Sequence, residues 1–517
     1  MKNYIILILL VIIAFAYSIR NDFLWDDHMI IVKNPRIDLP LKEIPSVFTT
    51  PLSKFAGFPE YQQVYYRPVL FIFFILNYKI WGMNPIGFHL VNLLLYLITA
   101  IVIYKAGLLL FESDKNKKLL SLMAASLFAV HPLNSEMAGR AASGEVIFGL
   151  FVFLTLYFYL RERKYLSLVS FFLALLSKEP AVMFPFALVI LTTHKKGLKK
   201  GLIELIPYFA LIGVYLILRM LTLDTVLGMK VSEPILTRIL TMAVAALDYI
   251  RLLLIPYPLS LFYPARWYLS ILEPKVLVAM AVLLSICFLV YKLRKDRVML
   301  FLLLFPFVML APVIWRVNTF PYGYFDLAYI AERFIYVSIM PFSLFISASA
   351  VRLFKETGRR YMVTGWVVVL IILTVITISS GRAWKNDYTY FSKIVEQSPG
   401  SSFAYFGLGD VYRKMGRLDD AMREWQKALQ LSPYDPEILN SVGNIYFIKG
   451  DYDRAINFYK MAFMGAPRNA ETCYNLAIAL EKTGKTKEAE TYYREFIKIA
   501  SEHYKDIVSE LRKRFPS

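Results

Sequence analysis

Two adjacent carboxylates, Asp26 and Asp27, sit in the stretch "NDFLWDDHMIIVKNPRI" (residues 21–37), where the chain leaves its first apolar segment. A carboxylate facing guanidiniums suits group transfer from a phosphate. The acid takes a proton from an incoming hydroxyl, and the cations stabilise the charge that grows on the departing phosphate. Further ionisable and polar groups stand at the ends of other apolar runs. "YYRP" carries Arg67, and "GFHLVN" carries His89 and Asn92. "FAVHPLNSEMAGRAASGE" carries His131, Glu136, Arg140 and Glu145. "LLSKEPA" carries Lys178 and Glu179, and "YIAERFIY" carries Glu332, Arg333 and Tyr336. Singly, each has a plain structural reading. Asp26 can cap a helix, Glu332 and Arg333 can pair, Arg67 and Arg140 can snorkel to head groups, and His131 before Pro132 can mark a helix end. Jointly they read as a polar cavity, because caps and snorkelling residues spread over both faces of a membrane.

Their common side follows from the elements that must hold them. The chain has 517 residues, 57% of them hydrophobic, a composition too apolar for a surface covered by water. A multi-span helical membrane protein is expected. The formal charge of +19 is concentrated in short connections, which removes the need for a nucleic-acid partner. The basic connections are residues 112–118, 161–164, 194–201, 292–297 and 351–360, and the positive-inside rule assigns them to the cytoplasm. Residues 20–66, by contrast, hold five Lys/Arg against six Asp/Glu. The two cysteines, Cys287 and Cys473, imply neither a disulfide framework nor a cysteine metal site.

Eleven spans are expected, at roughly 4–19, 88–111, 119–132, 144–160, 165–177, 181–193, 203–222, 276–292, 299–315, 334–351 and 362–379. This places the N-terminus in the cytoplasm and the C-terminus outside. The first run is read as a retained span, not as a signal peptide cleaved after "AFA". The run 67–82 is too short to cross, and crossing would turn the basic loops outward. It is expected as an amphipathic helix at the outer interface. Residues 237–255, carrying Asp248 and Arg251, are expected as interfacial or re-entrant. The transmembrane domain is thus 1–380, with an external loop at 20–87 and an external segment at 223–275.

A linker helix is expected at 381–401. From 402 a period of 34 residues appears: Gly409, Gly443 and Ala477, then Ala421, Ala455 and Ala489, then Trp425, Tyr459 and Tyr493. This is the tetratricopeptide helix–turn–helix pattern, with units at 402–435, 436–469 and 470–503 in a domain of 402–517. Such a stack offers a concave face to a peptide or partner helix. The expected fold class is all-α: a polytopic helical bundle followed by an α-solenoid.

The ordered set "FLWDDHMIIVKNPRI", "YYRPV", "GFHLVNLLLY", "SLFAVHPLNSEMAGRA", "LLSKEP" and "AERFIYVS", followed by the repeats, resembles the transmembrane and tetratricopeptide repeat-containing O-mannosyltransferases and their prokaryotic relatives. These are glycosyltransferases of the GT-C superfamily. The resemblance implies transfer of a hexose such as mannose from a polyprenyl-phosphate sugar to a hydroxyl, of Ser or Thr in a protein, on the external face. It implies Asp26 or Asp27 as the base, and Glu136 as a second acid. Arg333, with Arg140, Arg67 or Lys178, would hold the phosphate, and His89, Asn92, His131, Glu179, Glu332 and Tyr336 would line the substrate site. A divalent cation on Asp26, Asp27 and Glu136 is compatible with the resemblance, although no ligand spacing demands one. The expected partners are the lipid-linked donor, membrane lipid, and a polypeptide acceptor or partner on the repeats. Two other classes fit the same architecture: an O-antigen ligase or polymerase, and a membrane scaffold without catalysis.

Overall fold

A computed structural model describes residues 1–51, 65–223, 234–264, 266–316, 328–354, 358–500 and 504–515. Parts of the expected external stretches, 52–64 and 224–233, lie outside the described residues, as does most of the 316–333 loop. The chain forms two units.

The first unit, from residues 1–386, is helical throughout its membrane part. Its helices are α1 (Lys2–Phe15), α2 (Pro68–Trp81), α3 (Pro85–Leu110), α4 (Lys117–Val130), α5 (Ser135–Gly139), α6 (Gly144–Leu160) and α7 (Lys164–Leu175). They continue as α8 (Phe184–Lys196), α9 (Leu198–Thr222), α10 (Ile235–Leu254), α11 (Pro274–Leu293), α12 (Arg297–Arg316), α13 (Tyr336–Leu353) and α14 (Arg359–Gly381). Among the described residues, seven helices are long and apolar enough to cross a membrane. An eighth span results if Pro132–Gly139 and Gly144–Leu160, bent by 120°, count as one. The chain is an integral membrane protein.

Every expected span is helical, but not every one is long enough to cross. The helices at the expected spans 119–132, 165–177 and 181–193 have 14, 12 and 13 residues. At about 1.5 Å per residue they reach roughly 20 Å, short of a hydrocarbon layer of about 30 Å. A second difference concerns α2. Its outer face carries Leu76, Ile80 and Trp81, all exposed, while Leu70, Phe71, Phe74 and Ile75 are buried. The helix is apolar all round, not amphipathic, and suits lipid on one side and protein on the other.

The packed centre is where α3, α4, α6 and α13 meet. The Tyr96 and Phe128 rings stack at 5.2 Å, and Tyr336 closes on Phe128 at 5.7 Å. Two polar side chains here are paired: Tyr96 donates to the Phe128 carbonyl, and Asn134 donates to the Tyr96 hydroxyl. The two ends of the bundle are each self-consistent. Loops expected inside meet one another, through Arg352–Asp296 at 2.6 Å and Arg359 donating to Asn116 at 2.9 Å. The groups expected outside gather likewise, as described below.

The second unit holds residues 387–515 together with 260–264. It comprises α15 (Asp387–Gln397), α16 (Ser402–Lys414), α17 (Leu418–Leu431), α18 (Pro436–Ile448), α19 (Tyr452–Gly465), α20 (Ala470–Lys482), α21 (Thr486–Ile499) and α22 (Lys505–Arg514). The 34-residue phase is set at the helix starts. Ser401, Asp435 and Asn469 each accept a backbone N–H from the first turn of α16, α18 and α20. Gly409 and Gly443 lie so close to the Trp425 and Tyr459 rings that a Cβ would sit 2.4 and 2.6 Å away, which is why the aromatic sixteen residues on needs a glycine. The expected linker helix instead joins this unit. Phe391 of α15 packs on Gly407 of α16, and Phe262 stacks on Phe403 at 5.7 Å.

One acid in the repeats is displaced in its titration. Burial, with Asp435, Glu471 and Asp410 nearby, pushes the Glu437 carboxyl up to about 7 from its ordinary 4.5. A carboxyl that keeps its proton in the fold but not in the unfolded chain contributes stability that is lost as pH rises from 4.5 through 7. After correction for the intrinsic base-catalysed rate, amide protection in α18 of the full chain is therefore expected to fall between pH 5 and pH 8 in the wild type. Glu437→Gln should flatten that dependence; an unchanged pH profile in the variant would contradict this assignment.

Candidate active site

The site is built around the turn between α5 and α6. The bend there leaves residues 140–143 outside both helices, and side chains from elsewhere supply hydrogen bonds to their backbone. Asn92 of α3 donates to the carbonyls of Arg140 and Ala141 at 3.2 and 3.0 Å. Asp27 accepts the N–H groups of Ala141 and Ala142 at 3.0 and 2.8 Å, and that of Leu24 at 3.1 Å. Burial pushes the Asp27 carboxyl up, while Arg140 and these three N–H donors pull it back. Asp27 thus fastens the first loop to the α5–α6 turn with both of its oxygens.

The same fastening presents Asp26 to Arg140. The guanidinium donates to Asp26 Oδ2 at 2.7 Å and lies 3.5 Å from Glu136 Oε1. It also lies over the Trp25 ring, 5.8 Å from its centre. Trp25 has a φ of 46°, a left-handed conformation that a bulky residue adopts only when its surroundings force it. Glu136 in turn binds Arg333 twice, through the side chain at 2.6 Å and the backbone N–H at 2.8 Å. A continuous chain of charge therefore runs Asp26–Arg140–Glu136–Arg333. Exposure separates its members: the Asp26 side chain is 37% exposed, Glu136 5% and Arg140 6%.

A second cluster stands on neighbouring elements. Lys178 donates to Glu145, at the start of α6, and lies over the Phe334 ring at 5.5 Å. Arg67, preceding α2, grips Glu179 through Nε and Nη2 with contacts of 3.1, 3.0 and 2.7 Å. Arg219 of α9 reaches the same carboxylate at 3.7 Å. Arg219 is the one participant that the sequence reading did not single out. Its signal was there, as a single charge in the apolar second half of a helix.

Of the other expected site residues, several are built into the packing. His131 Nε2 meets the Leu253 carbonyl at 3.3 Å and its Nδ1 faces the Leu133 N–H, as a helix-end residue would. Tyr336 is buried among the aromatic rings of the bundle centre. His89 and Glu332 are buried. The acids expected to hold a divalent cation do not form a ligand set. Asp27 is committed to backbone N–H groups and Glu136 to Arg333, and no three His, Cys, Asp or Glu among the described residues are placed to share an ion.

The comparisons with known proteins bear out the resemblance. The repeat region matches the family described as TPR repeat over residues 409–447, and that described as Tetratricopeptide repeat over 446–507. The chain is related to a protein O-mannosyl-transferase of Caenorhabditis elegans, 26% identical over 458 residues, covering 84% of this chain and 63% of that protein. Protein O-mannosyl-transferase TMTC1 of Homo sapiens is 24% identical over 505 residues, with 84% of this chain and 55% of that protein covered. The chain thus spans less than two thirds of the length of these relatives. Among solved structures, MamA is similar over 24% of this chain and 80% of its own, at 21% identity and a TM-score of 0.21.

The two aspartates are expected to separate by stability. Asp27→Ala leaves three buried N–H groups without an acceptor and should cost roughly 3 kcal/mol or more. Asp26→Ala leaves Arg140 with Glu136 and opens its other side to the exposed flank of the cluster, and should cost less than Asp27→Ala. Thermal unfolding of the full chain in detergent checks this, and equal losses in the two variants would count against the division of roles.

Proposed function

We propose that the chain is a membrane glycosyltransferase, moving a hexose such as mannose from a polyprenyl-phosphate donor to the hydroxyl of a Ser or Thr in a protein. The observation that carries this reading is the chain of charge from Asp26 to Arg333. It supplies a reachable carboxylate and fixed guanidiniums within one cluster, which is what the reaction requires at its two ends. The names of the relatives point the same way.

In this reading Asp26 is the base. Asp27 is a positioning residue, because its oxygens are held by Leu24, Ala141 and Ala142. The acceptor O–H bond breaks with its proton passing to Asp26, and the oxygen attacks the anomeric carbon. The bond from that carbon to the phosphate oxygen breaks, its electron pair staying on the phosphate. The configuration inverts, and the phosphodiester monoanion leaves as a phosphomonoester with one more negative charge. Arg333, Arg140, Arg67 and Lys178 are the cations available to meet that charge. Glu136 holds Arg140 and Arg333 in fixed places, and Asp26, paired with Arg140 on one side, keeps an open flank.

Orientation follows from charge. With the basic connections in the cytoplasm, the site and the repeats face outward. The repeats would receive the polypeptide acceptor. Asn475 donates to Asn440 and Asn444 at 3.2 and 3.1 Å, making a row of amides between α18 and α20 that suits an extended backbone.

The expected outcome of Asp26→Asn is a loss of transfer of about a hundredfold or more, with membrane insertion intact. The measurement is movement of radiolabelled mannose from polyprenyl phosphate to protein in membranes containing each variant. Turnover within a few-fold of the wild type would end the assignment of Asp26 as base.

A further inference from the structure

On α18, Glu437, Asn440 and Asn444 lie three and four residues apart and form a single stripe. The 34-residue phase puts Asp410 of α16, and Glu471 and Asn475 of α20, on the matching stripes of their own helices. A hydrogen-bond network joins α18 to α20, and one member fixes its sense. The Glu471 carboxylate only accepts, so Asn440 must offer it Nδ2, at 3.4 Å. Asn440 Oδ1 is then free to accept from Asn475 Nδ2 at 3.2 Å, and the same Nδ2 reaches Asn444 Oδ1 at 3.1 Å. Asn444 Oδ1 also takes the Tyr459 hydroxyl at 2.6 Å. Among the described residues, this leaves over the Nδ2 donors of Asn444 and the Oδ1 acceptor of Asn475, both on half-buried side chains. A donor beside an acceptor is the complement of a peptide unit.

Charge on this face is one-sided. Asp410, Glu437 and Glu471 come from the first helices of three successive repeats. Asp435 adds a fourth acid. It is 3% exposed, its Oδ1 accepts the N–H groups of Glu437 and Ile438, and its Oδ2 has no partner. The nearby cations are engaged: Arg413 with Asp410 at 3.3 Å, Lys414 with Asp387 of α15 at 3.2 Å, and Arg514 with Glu481. Among the described residues no Lys or Arg pairs with Glu437 or Glu471. The imbalance shows at Glu437. Burial, and then the charges of Asp435, Glu471 and Asp410, push its carboxyl up to about 7. The proton on Glu437 fills a place that an incoming cation can take over.

We infer that this face is a docking site for an extended cationic segment of polypeptide, with Asn444 and Asn475 on its backbone and Glu437 and Glu471 on a Lys or Arg side chain. The inference rests on the proposed reception of a polypeptide acceptor by the repeats, and it supplies the charge that such an acceptor carries. Amides that hold a backbone are indifferent to sequence, and the acids add the selection. An acidic segment would meet like charges from three helices. A bound ammonium or guanidinium favours the ionised form of Glu437, so docking expels the proton. Affinity for a cationic segment therefore rises with pH up to about 7 and levels off above it.

The test uses the full chain in detergent, carrying Asp26→Asn so that turnover does not intervene. The probes are a short fluorescent peptide with Ser, Thr and Lys, and its counterparts with Gln or Glu in place of Lys. Anisotropy at pH 8 is expected to show the Lys peptide binding about tenfold more tightly than the Gln peptide, with the Glu peptide weakest. Glu437→Gln, which keeps the shape of the side chain, should reduce that preference severalfold while the Gln peptide still binds. Asn444→Ser should weaken the Lys and Gln peptides alike. Calorimetry at pH 6 in buffers of different ionisation enthalpy should report a proton released on binding the Lys peptide, and none in Glu437→Gln. Equal affinity for the Lys and Gln peptides, a preference for Glu, or an undiminished Lys preference in Glu437→Gln would overturn the inference. A dimer of the full chain that excludes the peptides would give the face to a second copy and overturn it too. The outcome is separable from that of the reaction: the Lys preference stands whether or not Asp26→Asn still transfers sugar, and its absence leaves the transfer reading to its own assay.

Discussion

Arg140 is buried in an apolar bundle, and burying a guanidinium costs several kcal/mol unless each side of it is paired. That constraint organises the first unit. Asp26 pairs with Nη2, Glu136 lies 3.5 Å from Nη1, and Trp25 covers a face. Each of these must itself be held. Glu136 is held by Arg333, and Asp26 by the loop that Asp27 fastens to the α5–α6 turn. The bend of 120° between the two helical pieces opens the backbone that Asp27 and Asn92 then satisfy. A straight helix would have no free N–H groups there, and the doubled aspartate would have nothing to bind.

The pairing also divides labour between two neighbouring acids. Both aspartates are one residue apart in sequence, yet one is saturated by backbone donors and the other keeps an open flank. A carboxylate that accepts several fixed N–H groups is a good clamp and a poor base, because a proton must displace those bonds. The strained Trp25 that precedes them is the means of turning the second acid inward and the first toward Arg140.

Much of this architecture was readable from residue types. The repeat phase showed in Gly409, Gly443 and the aromatics, because close helix approach leaves a compositional trace at a fixed interval. The gathering of Asp26, Arg140, Glu136 and Arg333 showed in charge placed at apolar ends. The division between Asp26 and Asp27 did not show, since it depends on which backbone groups a bent helix leaves free. The short helices α4, α7 and α8 were read as full spans because hydropathy registers apolar composition and not where a turn falls. Tyr336 and His131 sit within motifs of the resemblance, but shape packing and helix ends there instead of the charged cluster.

The two clusters are electrostatically linked: Arg333 acts on both Glu145 and Lys178. Glu145 and Lys178 stand at the start of α6 and before α8, and Arg333 precedes α13, all close to the α5–α6 turn. In the proposed transfer, a proton reaches the Asp26 side as a negative charge appears on the phosphate side. Neutralising Asp26 removes one partner of Arg140 and loosens its hold, so positive potential becomes available just as the phosphate gains charge. Arg140 and Arg333, tied to Glu136 on one side, can supply that potential without moving. A fixed guanidinium array costs no reorganisation at the moment of reaction, which is the physical reason to bury it despite the expense.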